Sequence, residues 1–236
     1  MILSIHQPSY FPWLGLLHKI ANSDYYMVMD EVQFSDGAFQ NRNLFLSADG
    51  KTKYLTIPIN KKNYLQRPFK DIEISGDTWG LNHLNFIKNG YRKHSYFDEI
   101  FPILENFYLQ NYYQLIDAVI ASMSIVLKFF DIKTKIIFQS DMEYDRSLKR
   151  GDLVIALVQA SGASCYLSGV GAQEYLDEAA FVDGISLKYK YFKHPIYPQK
   201  NATNFVSGLS CIDTLFNLGT LASRDLLKKC VDTHSV

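Results

Sequence analysis

Cysteine is scarce in this chain, net charge is absent and no long apolar run occurs. Only three of the 236 residues are cysteine: Cys165, Cys211 and Cys230. An odd, sparse set cannot all pair, its spacing matches no zinc pattern, and it suits a reducing compartment. Lysine plus arginine and aspartate plus glutamate both number 24, so no broad positive field is available to capture nucleic acid or acidic lipid. No stretch approaches the ~18–20 apolar residues that a membrane-spanning helix requires. The opening MILSIHQPSYFPW lacks the basic leader and apolar segment of a secretory signal. HExxH, GxSxG and DxDxDG patterns are missing too, and Ser168-Gly169-Val170-Gly171 has neither the lysine nor the spacing of a Walker phosphate loop. The expectation is a cytoplasmic protein with no membrane span, nucleic-acid partner, metal or cofactor.

What the chain does have is aromatic rings, 16 tyrosines and 16 phenylalanines, on a composition 47% hydrophobic and 20% charged. Such a balance folds as a globule. Rings with polar tips are frequent where proteins line clefts.

Hydrophobic patterning then orders the chain. Met1 to Ile5 reads as a buried strand, ended by His6-Gln7-Pro8, since Pro8 cannot donate to a ladder. From Pro12 a helix is expected, carried by Leu14, Leu17 and Ala21, and Asp24 to Met29 reads as a second strand. Strand, helix and strand make a βαβ unit if both strands are parallel. Asp30 to Leu46 reads as a loop with short extended pieces, while Lys53–Ile59 and Phe69–Ile74 alternate like a small antiparallel excursion. Thr78 to Asp131 is helical, with Pro102 starting or bending one of two or three helices. Later strands are expected at Lys135–Gln139, Ser164–Ser168 and Ile185–Phe192, with helices at Gly151–Ala160 and Ser223–Cys230. The fold class is therefore α/β: one domain over 1–236, a mostly parallel sheet with flanking helices, and a helical insertion over about 78–131.

Polar clusters recur just after the expected strands. His6, Gln7 and Tyr10 follow the first; Asp30 and Gln33 the second; Ser140 and Asp141 the third; Ser168, Gly169 and Gly171 the fourth. In open α/β sheets ligands bind outside the carboxyl ends of the strands, so parallel strands would bring these clusters to one rim. Imidazole titrates near neutrality, which makes His6 a candidate base, oxyanion donor or orienting group. Arg42, between Asn41 and Asn43, offers a planar fork for phosphate or carboxylate, or is a surface arginine held within its own loop. Lys19 on the first helix reads by itself as a solvated side chain. Gln199 lies in a late polar–aromatic stretch, and Ser210, Asp213 and Asn217 share a helical face that either lines the rim or satisfies loop backbone. The cysteines read as structural.

Taken together and in order, HQPSYFPWLG, DEVQF from Asp30, QNRN from Gln40, YLSGVGAQEYL from Tyr166, YPQ from Tyr197 and SCIDTLFNLG from Ser210 resemble the WbqC-like protein family over essentially the whole chain. Members of that family typically sit among bacterial genes for O-antigen and other surface polysaccharides. The resemblance implies acyl or aminoacyl transfer to an amine, such as that of a nucleotide-linked amino sugar, from a donor such as an acyl carrier protein thioester. In that chemistry His6 takes a proton or holds the amine, and Asp30 orients it. Gln7, Tyr10 or the Ser168-Gly169 backbone holds the oxyanion, while Arg42 and Lys19 hold a phosphate. At the level of fold, the layout also resembles pantothenate-synthetase-type nucleotidyltransferases. Their HxGH is replaced here by Pro12-Trp13-Leu14-Gly15-Leu16, with neither histidine. An ATP-dependent ligase and a non-catalytic sugar-nucleotide-binding component are the rival expectations.

Overall fold

The computed structural model describes residues 1–174, 176–181 and 184–230; Tyr175, within the YLSGVGAQEYL stretch, lies outside the described residues. Strand β1 (Ile2–His6) leads through a polar loop into helix α1 (Leu14–Ala21), whose Leu14, Leu17 and Ile20 are buried, and then into β2 (Tyr25–Val28). β1 and β2 are parallel, with Leu3 opposite Tyr25 and His6 opposite Val28. The opening is the βαβ unit that the patterning predicts.

A hairpin follows, β3 (Arg42–Leu46) against β4 (Thr52–Thr56). The antiparallel excursion exists, but its partners differ from the expected Lys53–Ile59 and Phe69–Ile74. Ser47 donates its N–H to the Lys51 carbonyl, and Gly50 takes φ 79°, so the turn closes β3 onto β4. Phe69, by contrast, begins a single 3₁₀ turn after Pro68 and is fully buried, leaving Ile59 and Ile74 joined by one isolated bridge. Burial of an aromatic ring outweighed strand alternation there.

Helices α2 (Trp79–Tyr91), α3 (Phe97–Tyr108) and α4 (Leu115–Phe129) form the helical insertion. Pro102 sits inside α3 on its exposed side. The chain then adds β5 (Lys135–Phe138), α5 (Arg150–Ala160), β6 (Cys165–Gly169), β7 (Ser186–Lys190) and α6 (Cys211–Lys228). Gly219 breaks α6 with φ 74°, and the Tyr96 ring occupies the space a Cβ would need, so α6 is two segments about one kink, the second taking in most of the expected Ser223–Cys230 helix. No helix among the described residues is long and apolar enough to cross a membrane.

The five-stranded sheet runs β5-β2-β1-β6-β7, and every pairing is parallel. Its two faces are covered by different helices. Leu3, Ile5 and Met27 pack with Leu153, Val154 and Leu157 of α5, whereas Tyr26 and Val28 join Leu14, Leu17 and Ile20 of α1 in the larger core that takes in α2–α4. Alternation along β1 and β2 sends neighbouring side chains to opposite faces, which makes the sheet doubly wound. The chain adds strands on one side of β1, then crosses to the other side with β6. In such sheets that reversal opens a crevice at the carboxyl ends, here between β1 and β6.

Candidate functional site

His6 is the last residue of β1 and stands at the reversal. Its Nδ1 lies 2.9 Å from the Gln7 carbonyl oxygen. A carbonyl only accepts, so Nδ1 carries the proton and the neutral ring keeps a lone pair on Nε2. The residue as a whole is exposed, yet protein crowds its imidazole. That crowding, and next the Lys19 ammonium, lower the His6 pKa to about 4, against the opposing effect of the Gln7 contact. The imidazole is thus a proton acceptor at neutral pH.

Two cavities of different chemistry meet at His6. On the α1 face a cavity of about 250 Å³ is lined by Trp13, Gly15, Lys19, Gly169, Gly171 and Lys190, with His6 at its edge. Lys19 is buried and donates from Nζ to the Ile5 carbonyl oxygen at 2.9 Å. It forms no ion pair with a carboxylate among the described residues, and burial lowers its pKa to about 8. Lys190 ends β7, paired with Gly169 in β6, which carries a second cation to the same rim. The Trp13 ring lies over Gly15, where a Cβ would run into ring atoms, so only glycine lets the indole cover the first turn of α1. On the α5 face a cavity of about 570 Å³ is lined by Ile5, Met29, Val32, Leu153, Val154 and Tyr166, with His6, Gln7 and Arg150 also lining it.

The other expected site residues separate into groups. Gln7 lines the α5-face cavity and accepts from Gln40 Nε2 at 3.0 Å. Ser168 is buried beneath the rim, its hydroxyl 3.5 Å from the Tyr166 hydroxyl. Tyr10 does not reach the rim. It is fully buried in the helical core, bonded to His83 Nδ1 at 3.0 Å and to the Tyr108 hydroxyl at 2.5 Å. Asp30 lines neither His6 cavity; its two oxygens accept from the Ser140 N–H and hydroxyl at 2.9 and 2.7 Å, tying the end of β2 to that of β5. Gln33 is exposed, and its backbone bridges Pro68. Asn41 donates to the Ile57 carbonyl at 2.8 Å. Arg42 donates from one guanidinium nitrogen to the Gly37 carbonyl in the preceding loop and lies over the Tyr54 ring at 4.3 Å, so it is held by its own loop and hairpin.

Gln199 and Asn217 belong to a second polar centre built on Asp213. That buried carboxyl accepts from Tyr91 at 2.9 Å, Tyr197 at 2.8 Å and Gln199 at 3.2 Å, and burial raises its pKa. Asn217 donates to the Asp213 carbonyl and accepts from the Lys200 N–H. The centre fastens the late segment onto α2 and α6: Asn217 satisfies backbone groups there, whereas the Asp213 carboxyl is held by side chains. Cys165 and Cys211 are buried, and burial raises the Cys211 pKa, which leaves no activated thiolate there.

Sequence comparison matches residues 7–225 to the WbqC-like protein family. The chain belongs to that family. A relative described as Uncharacterized protein Rv1507c, from Mycobacterium tuberculosis (strain ATCC 25618 / H37Rv), is 25% identical over 231 residues, covering 97% of this chain and 98% of its own. No solved structure matches. In this WbqC-like chain the rim residues that patterning missed are Trp13, Arg150 and Lys190. Arg150 immediately precedes the expected helix Gly151–Ala160 and Lys190 lies within the expected strand Ile185–Phe192, and only the tertiary structure brings each into a cavity with His6. Trp13 lay within the opening motif, and its signal was the glycine two residues later.

Proposed function

We propose that this WbqC-like chain is an N-acyltransferase, joining an acyl or aminoacyl group to the amino group of a nucleotide-linked amino sugar. The reading places it in the cytoplasm, in surface-polysaccharide assembly, with an acyl carrier protein thioester as the donor. One observation carries it: a neutral histidine with its Nε2 lone pair available lines two cavities, one holding buried cationic charge and the other walled by apolar side chains. A phosphate-bearing acceptor suits the first cavity, where Lys19 and Lys190 supply positive charge beside the start of α1. The amine nitrogen attacks the thioester carbon, forming C–N as C–S breaks. The amine proton passes to His6 Nε2 and then to the departing thiolate, which leaves as a thiol.

The test is incubation of the purified chain with an amino-sugar nucleotide and an acyl-carrier thioester, reading the amide product by mass. His6→Ala is expected to lower turnover at least about 100-fold; full turnover in that variant removes the role. A second reading, ATP-driven ligation, is favoured by the crevice at the reversal of strand order, where nucleotides bind in related architectures. Release of pyrophosphate from ATP with a free acid and amine would select it. Binding of the sugar nucleotide without turnover of either donor would select the non-catalytic reading.

A further inference from the structure

The α5-face cavity contains a residue that the expected site did not include. Arg150, the first residue of α5, has φ 53°, a left-handed conformation that L side chains rarely adopt. Its side chain is exposed, lines the cavity, and makes no hydrogen bond or ion pair with any described residue. Apart from His6 and Gln7 at the end of β1, the remaining wall is mostly apolar: Ile5, Met29, Val32, Leu153, Val154 and the Tyr166 ring. A cavity of about 570 Å³ with one guanidinium, one imidazole and the Gln7 amide along it, and apolar side chains elsewhere, fits a ligand with an apolar body and an oxygen at one end.

We propose that this cavity holds the acyl group and that Arg150 binds its carbonyl oxygen. The assignment rests on the transferase reading, and it adds the donor's class, an apolar acyl chain, and a residue that stabilises the charge formed on the carbonyl oxygen. During attack by the amine the C=O electron pair moves onto that oxygen, and the planar guanidinium faces the developing charge. Collapse restores C=O and expels the thiolate, which takes the proton from His6. A free carboxylate imitates the charged oxygen, so simple acids serve as probes.

Calorimetric titration of the full chain with octanoate, butanoate and octanamide tests this without turnover. Octanoate is expected to bind at least tenfold tighter than butanoate, since each buried methylene contributes about fourfold. It is also expected to bind at least about threefold tighter than octanamide through the charged fork. Arg150→Gly abolishes the preference for carboxylate and keeps the dependence on length; glycine tolerates φ 53°, so the fold is retained. Val32→Trp, on a partly exposed wall, abolishes the dependence on length and keeps the preference for carboxylate, with Met29→Trp as the second such variant. Octanoate binding that ignores chain length, or that survives Arg150→Gly unchanged, overturns the assignment. Absence of amide product with this binding pattern intact sinks the transferase reading and leaves the acyl cavity standing.

Discussion

Lys19 reaches from α1 to donate its ammonium to the Ile5 carbonyl, 2.9 Å away, one residue before His6. A buried cation satisfied by a single carbonyl is costly, and the lowering of its pKa to about 8 from an ordinary 10.5 corresponds to about 3 kcal/mol at neutral pH. Between those two values the unfolded chain holds the proton more firmly, so stability rises with pH through that window. Lys19→Met removes the charge and keeps the length of the side chain. It is expected to raise the melting temperature at pH 7 by a few degrees and to weaken binding of an amino-sugar nucleotide at least tenfold. Thermal melts and calorimetry check both; a variant that is less stable at pH 7 would contradict the unpaired-cation account.

His6 is expected to titrate near pH 4, read from its Cε1–H resonance. Its folded pKa lies below the ordinary 6.5, so this group's contribution to stability is lost as pH falls from about 6.5 toward 4. Lys19→Met moves the midpoint upward but not fully to 6.5, because burial is the larger cause and the ammonium the smaller. A wild-type midpoint at 6.5 would mean that the ring is not held as described.

Tyr10 separates the core from the site. Tyr10→Phe leaves Tyr108 and His83 short of one hydrogen bond in a buried network, at a cost of about 1–3 kcal/mol in stability by urea denaturation. Turnover is expected to stay within twofold of wild type. A loss of a hundredfold at unchanged stability would return this tyrosine to the catalytic rim.

Local patterning was sufficient wherever an element's own periodicity decides it. The apolar run of β1, the spacing of Leu14 and Leu17, and the long helical stretch ending at Asp131 each place an element, because burial of a stripe or a face is written in adjacent residues. The principle that polar clusters follow parallel strands was also enough to single out His6, Gln7 and Gly169 as rim residues, whereas Lys19, by itself a solvated helical side chain, entered only through the family resemblance. It failed for Tyr10 and Asp30; Arg42, read from its flanking amides either as a phosphate fork or as an arginine held within its own loop, takes the second form. The direction of all three depends on partners remote in sequence: Tyr108 for the first, Ser140 for the second, and the hairpin's Tyr54 for the third.

The sequence by itself determined the α/β class, the family and the residues at the end of β1. Only the tertiary structure decided that β6 lies beside β1, that α1 and α5 cover opposite faces, and that His6 therefore stands between a cationic cavity and an apolar one. The reason is physical. Strand order is set by which crossovers bury the most apolar surface together, a sum over the whole chain, whereas periodicity records only what each short segment buries.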